Sequence, residues 1–210
     1  MNNNTEPMSP PTRPNRPWLI VGILAAVFLV PLVIAWVLYL NINHFNFGTN
    51  QHGEFITPAR ALVTPPIPLP LTGKSLAPDF FKNRYTLVYM STAACNADCE
   101  EALYLTRQIR YAMGQKIESV QRLYLVVGAP EDPAKLERQQ ADVTVADISG
   151  PEGKRFIQQF SVDGKSMPDI GKFIYLVDAR GFYIMRYSIS GNPEGLLKDL
   201  RHLLGQSGGI

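Results

Sequence analysis

The chain opens on a polar, proline-rich stretch, "MNNNTEPMSPPTRPNRP", whose lack of apolar positions predicts a disordered tail over residues 1–17. The pattern then inverts. Residues 18–40, "WLIVGILAAVFLVPLVIAWVLYL", run 23 positions without a charge, and a helix of that length crosses about 30 Å of hydrocarbon. Pro31 would kink this span without forbidding it, and Trp18, Trp36 and Tyr39 lie near its ends, where aromatic belts form. Residues 41–72 turn polar and proline-rich again. "TPPIPLPL", Thr64 to Leu71, favours extended polyproline geometry, so 41–72 reads as a tether.

From Gly73 the pattern alternates between short apolar runs and helical spacing. "RYTLVYMS" (84–91), "VQRLYLVVG" (120–128) and "DVTVADIS" (142–149) are short, apolar and β-rich, as strands are. Between the first two, Ala102, Leu105, Ile109, Ala112 and Met113 recur at helical spacing, with Gly114 as the stop. Arg107 and Arg110 fall outside that stripe and read as a solvated face. A second helix follows from Pro151 with Phe156, Ile157 and Phe160 inward. "KFIYLVD" and "FYIMRYS", joined by "ARG", form an antiparallel hairpin. Asn192 and Pro193 start a last helix with Leu196, Leu197, Leu200, Leu203 and Leu204 on its apolar face. Strand, turn, helix, strand, helix, hairpin, helix is a thioredoxin-like α/β order: a mixed sheet flanked by helices over residues 73–205, with 206–210 as a tail.

Charge matters mainly at the N-terminus. The 20 basic and 18 acidic residues are spread along the chain for a net charge of +2, which leaves no basic stripe for nucleic acid. Arg13 and Arg16 precede the apolar span and only His44 follows closely. The positive-inside rule then places the tail in the cytoplasm and the main domain across the membrane, which in a bacterium is the periplasm. The span is longer than a signal-peptide core and no small-x-small site follows it, so an uncleaved anchor in the inner membrane is expected.

The two cysteines, Cys95 and Cys99, lie between the first strand and the first helix, in "YMSTAACNADCEEALYLTRQIR". Residues i and i+4 share a helix face. The pair can therefore form a disulfide or, as two thiolates, grip one soft ion. A helix N-terminus favours thiolate, whereas Asp98, Glu100 and Glu101 oppose it through like charge. The same acids suit the helix dipole, so they do not decide the chemistry. A disulfide closing so short a loop contributes little entropic stabilisation, which favours a redox or metal role over a staple.

C-x-x-x-C at this point of a thioredoxin-like domain behind a single anchor resembles the Sco/SenC family. "GKSLAPDFFKNRYTLVYMSTAACNADC" is similar to its entry strand and cysteine loop, "ISGPEGKRFIQQFSV" to its helix segment, and "DIGKFIYLVDARG" to its "D-H-S-x-x-I-Y-L-I-D-x-x-G". The resemblance implies a factor that assembles the copper site of cytochrome c oxidase, with Cys95 and Cys99 as a redox pair and as Cu(I) ligands. Two departures are plain. The family's third ligand, a histidine after the aspartate, is Ile170 here, after Asp169; and Asn96-Ala97-Asp98 lacks the family's proline between the cysteines. His44 and His52 fall in the tether and His202 in the last helix. Cu(I) accepts thioethers, so Met167, in a loop the fold would bring near the cysteines, is a candidate substitute, and Met90 a lesser one. Pro168 is a candidate for the cis-proline that thioredoxin folds keep beside their cysteines.

Three readings follow. The first is a membrane-anchored assembly factor for a respiratory oxidase, handling copper or the thiols of its copper-binding subunit, with an oxidase subunit or another assembly factor as partner. The second is a general periplasmic thiol–disulfide oxidoreductase, which C-x-x-x-C in place of C-x-x-C argues against. The third is a non-catalytic structural partner.

Overall fold

The computed structural model describes residues 17–40, 53–92, 94–162, 167–191 and 193–206. The chain divides into two units, Met1–Thr49 and Asn50–Ile210. In the first, helix α1 (Pro17–Leu40) runs 24 residues through Pro31 with no acidic residue in its first turn and no basic residue in its last. Its described side chains, Trp18, Phe28 and Leu32 among them, are exposed. Among the described residues, no helix is long and apolar enough to cross a membrane. The tail before Pro17, His44 and His52 lie outside the described residues.

The second unit runs β1 (Glu54–Ala61), β2 (Pro68–Leu69), β3 (Lys74–Ser75), β4 (Tyr85–Thr92), α2 (Ala97–Tyr111), a 3-10 turn (Gly114–Ser119), β5 (Val120–Val127), α3 (Pro133–Gln139), β6 (Val143–Asp147), α4 (Pro151–Gln158), β7 (Phe173–Val177), β8 (Phe182–Ser188) and α5 (Pro193–Gln206). Six strands form one mixed sheet in the order β1-β8-β7-β4-β5-β6. β4, β5 and β6 are parallel, while β7 pairs antiparallel with β4 and β8.

Residues 54–61, expected to lie in the tether, instead close one edge of this sheet. β1 pairs antiparallel with β8, Glu54 opposite Arg186 and Ala61 opposite Phe182. The strand escapes a hydrophobic pattern because only Ile56 is buried, and Pro58 is tolerated because edge strands and register breaks can spare an N–H. Asn192 lies outside the described residues.

Period-two alternation divides β4 between two cores. Tyr85, Leu87 and Tyr89 pack with Leu103 and Ile109 of α2 and with Leu196, Leu200 and Leu204 of α5. Val88 and Met90 point the other way, into the core formed by Phe156 and Ile157 of α4 with Phe160. The apolar stripes expected of α4 and α5 are thus the buried ones. On α2 the buried positions are Cys99, Ala102, Leu103, Thr106 and Ile109, so Leu103 and Thr106 take the place expected for Leu105 and Ala112.

Thr106 is buried because Arg122 is. This strand β5 arginine is 1% exposed and lies under α2. Its Nη1 donates to Asp142 Oδ1 at 2.8 Å, and its Nη2 to Leu103 O at 2.6 Å and Gln140 Oε1 at 2.8 Å. Its Nε donates to Thr106 Oγ1 at 3.2 Å. A buried cation needs such full pairing. Arg107 and Arg110 are not the solvated face expected of them. Arg110 Nε donates to Val120 O at 2.8 Å and Arg107 donates to Gln139 O, so both tie α2 to neighbouring segments.

Candidate functional site

Helix α2 begins at Ala97 because Asn96 caps it: the Asn96 side-chain oxygen accepts from the backbone N–H of Cys99 at 3.1 Å. Asp98 and Glu100 occupy the first turn, where the helix dipole favours anions. Cys95 precedes the cap and Cys99 is the third helical residue. Their Cα atoms are 5.2 Å apart and the sulfurs form a disulfide.

The two sulfurs have different surroundings. Cys99 is fully buried, whereas Cys95 is partly exposed and borders a cleft of about 150 Å³ with Leu103, Tyr124, Pro130 and Leu136. At this cleft Lys135 Nζ of α3 pairs with Glu100 Oε1 of α2 at 2.5 Å. From the cleft side, Cys95 is the sulfur within reach and Cys99 is enclosed.

Behind Cys99 lie two hydroxyls that the sequence reading did not single out. Tyr124 Oη is 3.5 Å from Cys99 Sγ and Ser91 Oγ is 3.6 Å away. The two oxygens are 2.5 Å apart. The Tyr124 ring stacks on Tyr89 at 6.1 Å between centroids. Burial pushes the Tyr124 hydroxyl pKa up, against the opposing hydrogen bond with Ser91. The Tyr89 hydroxyl is also pushed up, by burial first and then by Tyr124 and Asp98, and its oxygen is buried without a hydrogen-bond partner. Tyr89 and Ser91 alternate on β4 toward the cysteine side, and Tyr124 is the cross-strand neighbour of Tyr89. That parity was the available signal.

The remaining candidate ligands are not drawn into this cluster. Met90 is fully buried on the α4 side of the sheet, where it packs as core. Ile170, at the position of the family's histidine, packs against that same core, and Gly171 N–H holds its loop to Met90 O at 2.9 Å. Met167 is 38% exposed in this loop. His202 is exposed on α5. Among the described residues, no group of three or more His, Cys, Asp or Glu could hold a metal ion. Among the described residues the cis peptide bond is Thr57–Pro58, so Pro168 does not fill the cis-proline role expected of it. Of the expected donors, Cys95 and Cys99 are brought together, as a disulfide.

Several solved structures share this fold. Apo Sco1 from Thermus thermophilus matches with a TM-score of 0.55 at 16% identity, covering 73% of this chain and 96% of that one. Yeast Sco1 with copper bound matches at 0.53 and 12% identity, covering 74% and 90%. BsSco, described by a disulfide switch and as a member of the Sco family of cytochrome c oxidase assembly proteins, matches at 0.51 and 14%, covering 70% and 96%. At these identities the likeness is one of fold: the domain is a divergent Sco-like thioredoxin fold. No curated protein matches the chain in sequence. The family described as "Transmembrane-like, thioredoxin-like, C-terminal domain" matches residues 85–207, from the first residue of β4 to just beyond α5, and the chain belongs to that family.

Proposed function

We propose that the chain is a membrane-anchored factor for assembly of a respiratory cytochrome c oxidase, exchanging disulfides with thiols of the oxidase's copper-binding subunit through Cys95 and Cys99. The observation that carries this reading is the asymmetry of the pair, one sulfur at a cleft and one fully buried. A staple needs no such division, whereas exchange needs one sulfur to be attacked and one to leave. The Sco-like fold supports the oxidase as the setting.

Copper enters this reading as cargo. Soft thiolates suit Cu(I), so the reduced pair would hold it through Cys95 and Cys99, with Met167, exposed in the loop before Ile170, as the remaining candidate for a third donor. With Ile170 packed against the core, no imidazole among the described residues completes the set, and binding would be weaker than at a three-ligand site. Thiol exchange is therefore the primary role.

The anchor in this reading is the charge-free run of residues 18–40. Arg13 and Arg16 before it favour a cytoplasmic N-terminus and a periplasmic domain at a bacterial inner membrane. A C-terminal reporter active only after export would give signal in this arrangement. Signal from a reporter active only in the cytoplasm would overturn it.

The function is tested by replacing the chain in its host with the Cys95→Ser, Cys99→Ser double variant. The expected result is loss of copper from the purified oxidase and of oxidase activity. Full assembly with the double variant would overturn the reading in favour of a structural partner.

A further inference from the structure

We propose that the hydroxyls of Tyr124 and Ser91 form a cradle that receives the Cys99 sulfur as a thiolate when the disulfide opens. This rests on the exchange reading above and adds the groups that make Cys99 a competent leaving sulfur.

The step balances within the exchange. A partner thiolate attacks Cys95 Sγ and a partner–Cys95 disulfide forms. The Cys95–Cys99 bond breaks and its electron pair leaves on Cys99 Sγ, so the partner sulfur is oxidised as the Cys99 sulfur is reduced. The negative charge then appears on an atom with no solvent exposure, where an unpaired charge is costly. The Tyr124 hydroxyl at 3.5 Å and the Ser91 hydroxyl at 3.6 Å are placed to donate to it. In the disulfide form these two oxygens bond each other at 2.5 Å, and Ser91 Oγ also donates to Thr92 O at 2.8 Å. The Tyr124 proton then points to Ser91 Oγ and the single Ser91 proton to Thr92 O; once sulfur carries charge both turn to it, Ser91 releasing Thr92 O. Because Tyr124 also borders the cleft, it links the buried sulfur to the side from which the partner arrives. Hydrogen bonds to the charged form lower an acid's pKa, and a leaving thiol of lower pKa departs faster.

Other titratable groups face this site from the elements around it. Asp98 and Glu100 lie on α2, Glu131 and Asp132 precede α3, Lys135 lies on α3 and Tyr89 on β4. Carboxylates, lysines and tyrosines ordinarily titrate outside pH 6–9, so a break in that window reports a cysteine.

The test uses the full chain in detergent. Its reduction potential is measured against glutathione buffers across pH 6–9.5, with the rate of reduction by dithiothreitol alongside. Tyr124→Phe keeps the ring stack and removes the hydroxyl. One hydrogen bond to a charged group should be worth about one pH unit, or tenfold. Tyr124→Phe is thus expected to raise one of the two cysteine breaks in the potential–pH profile by about one unit and to slow reduction severalfold, since only part of the charge has developed in the transition state. Ser91→Ala should shift both in the same direction, and Ser91→Thr, which keeps a hydroxyl, should stay near wild type. Tyr89→Phe removes a neighbouring buried hydroxyl that touches no sulfur and should move neither. Unchanged profiles in both Tyr124→Phe and Ser91→Ala would overturn the cradle and leave the exchange reading standing. A wild-type disulfide that resists reduction altogether would overturn both. An equal shift in Tyr89→Phe would show general loosening of the core and overturn the specific role of Tyr124.

Discussion

The side chain of Asn96 accepts a hydrogen bond from the backbone amide of Cys99 at 3.1 Å, so the cap that starts α2 also fixes the buried cysteine. Replacing a polar N-cap by alanine costs about 1 kcal/mol. Asn96→Ala should lower unfolding stability by that amount in urea titrations, and Asn96→Asp, which can still cap, should lie near wild type.

Arg122 and Asp142 make a second point of control. Removing one partner of a buried ion pair strands the other charge, at about 3–5 kcal/mol. Asp142 is 18% exposed, and Arg122 keeps three other acceptors, so Asp142→Asn should fall at the low end, about 3 kcal/mol. Arg122→Met combined with Asp142→Leu should recover much of the loss. A double-mutant cycle in urea reads both values.

Helix α4 approaches the sheet through Gly153. A Cβ there would lie 2.3 Å from Ile148 Cα and 2.7 Å from its carbonyl carbon. Backbone cannot yield as a side chain can, so Gly153→Ala should destabilise by about 1–3 kcal/mol. The melting temperature checks it.

Much of this fold was legible because its strands are apolar runs and its helices keep their stripes. The hairpin of β7 and β8, the inward face of α5 and the cysteines at the start of α2 all follow from pattern alone. What escaped has physical causes. Helix α3 buries none of its seven residues, so no apolar period betrays it, although Asp132 and Pro133 form a legible cap. β1 has one buried residue and pairs with a strand more than a hundred residues away. Arg122 looks like a solvated strand residue until its four acceptors assemble from separate segments. The Ser91–Tyr124 pair exists only across two strands. The departure at Ile170 was legible in the sequence; its packing against the α4-side core was not.

Alkaline pH should unfold the domain. Tyr89, Tyr175, Tyr183 and Tyr187 are all raised above the ordinary tyrosine range by burial first. The folded state therefore holds protons that the unfolded state releases near pH 10. This stability is fully present below that pH and is lost as pH rises above it. Arg122 works the other way, its pKa lowered to about 10 by burial despite Asp142, but it is one group against five once Tyr124, also raised by burial, is included. The urea midpoint should hold steady from pH 7 to 9 and fall above about 10, together with cooperative tyrosinate absorbance.

The central claim is that Cys95 is the attacked sulfur and Cys99 the leaving one. The most direct measurement is a trap in the host, with the full chain carrying Cys99→Ser and the captured species identified by mass spectrometry of non-reduced peptides. In this variant the reverse of the exchange step is trapped: the lone Cys95 thiolate attacks the disulfide of the oxidase's copper-binding subunit, a mixed disulfide with one subunit cysteine forms, the other subunit cysteine leaves as a thiolate, and no Cys99 remains to resolve it. The Cys95→Ser chain should trap nothing, because its remaining sulfur is buried. Adducts on Cys99 with none on Cys95, or no adduct on either, would contradict the account.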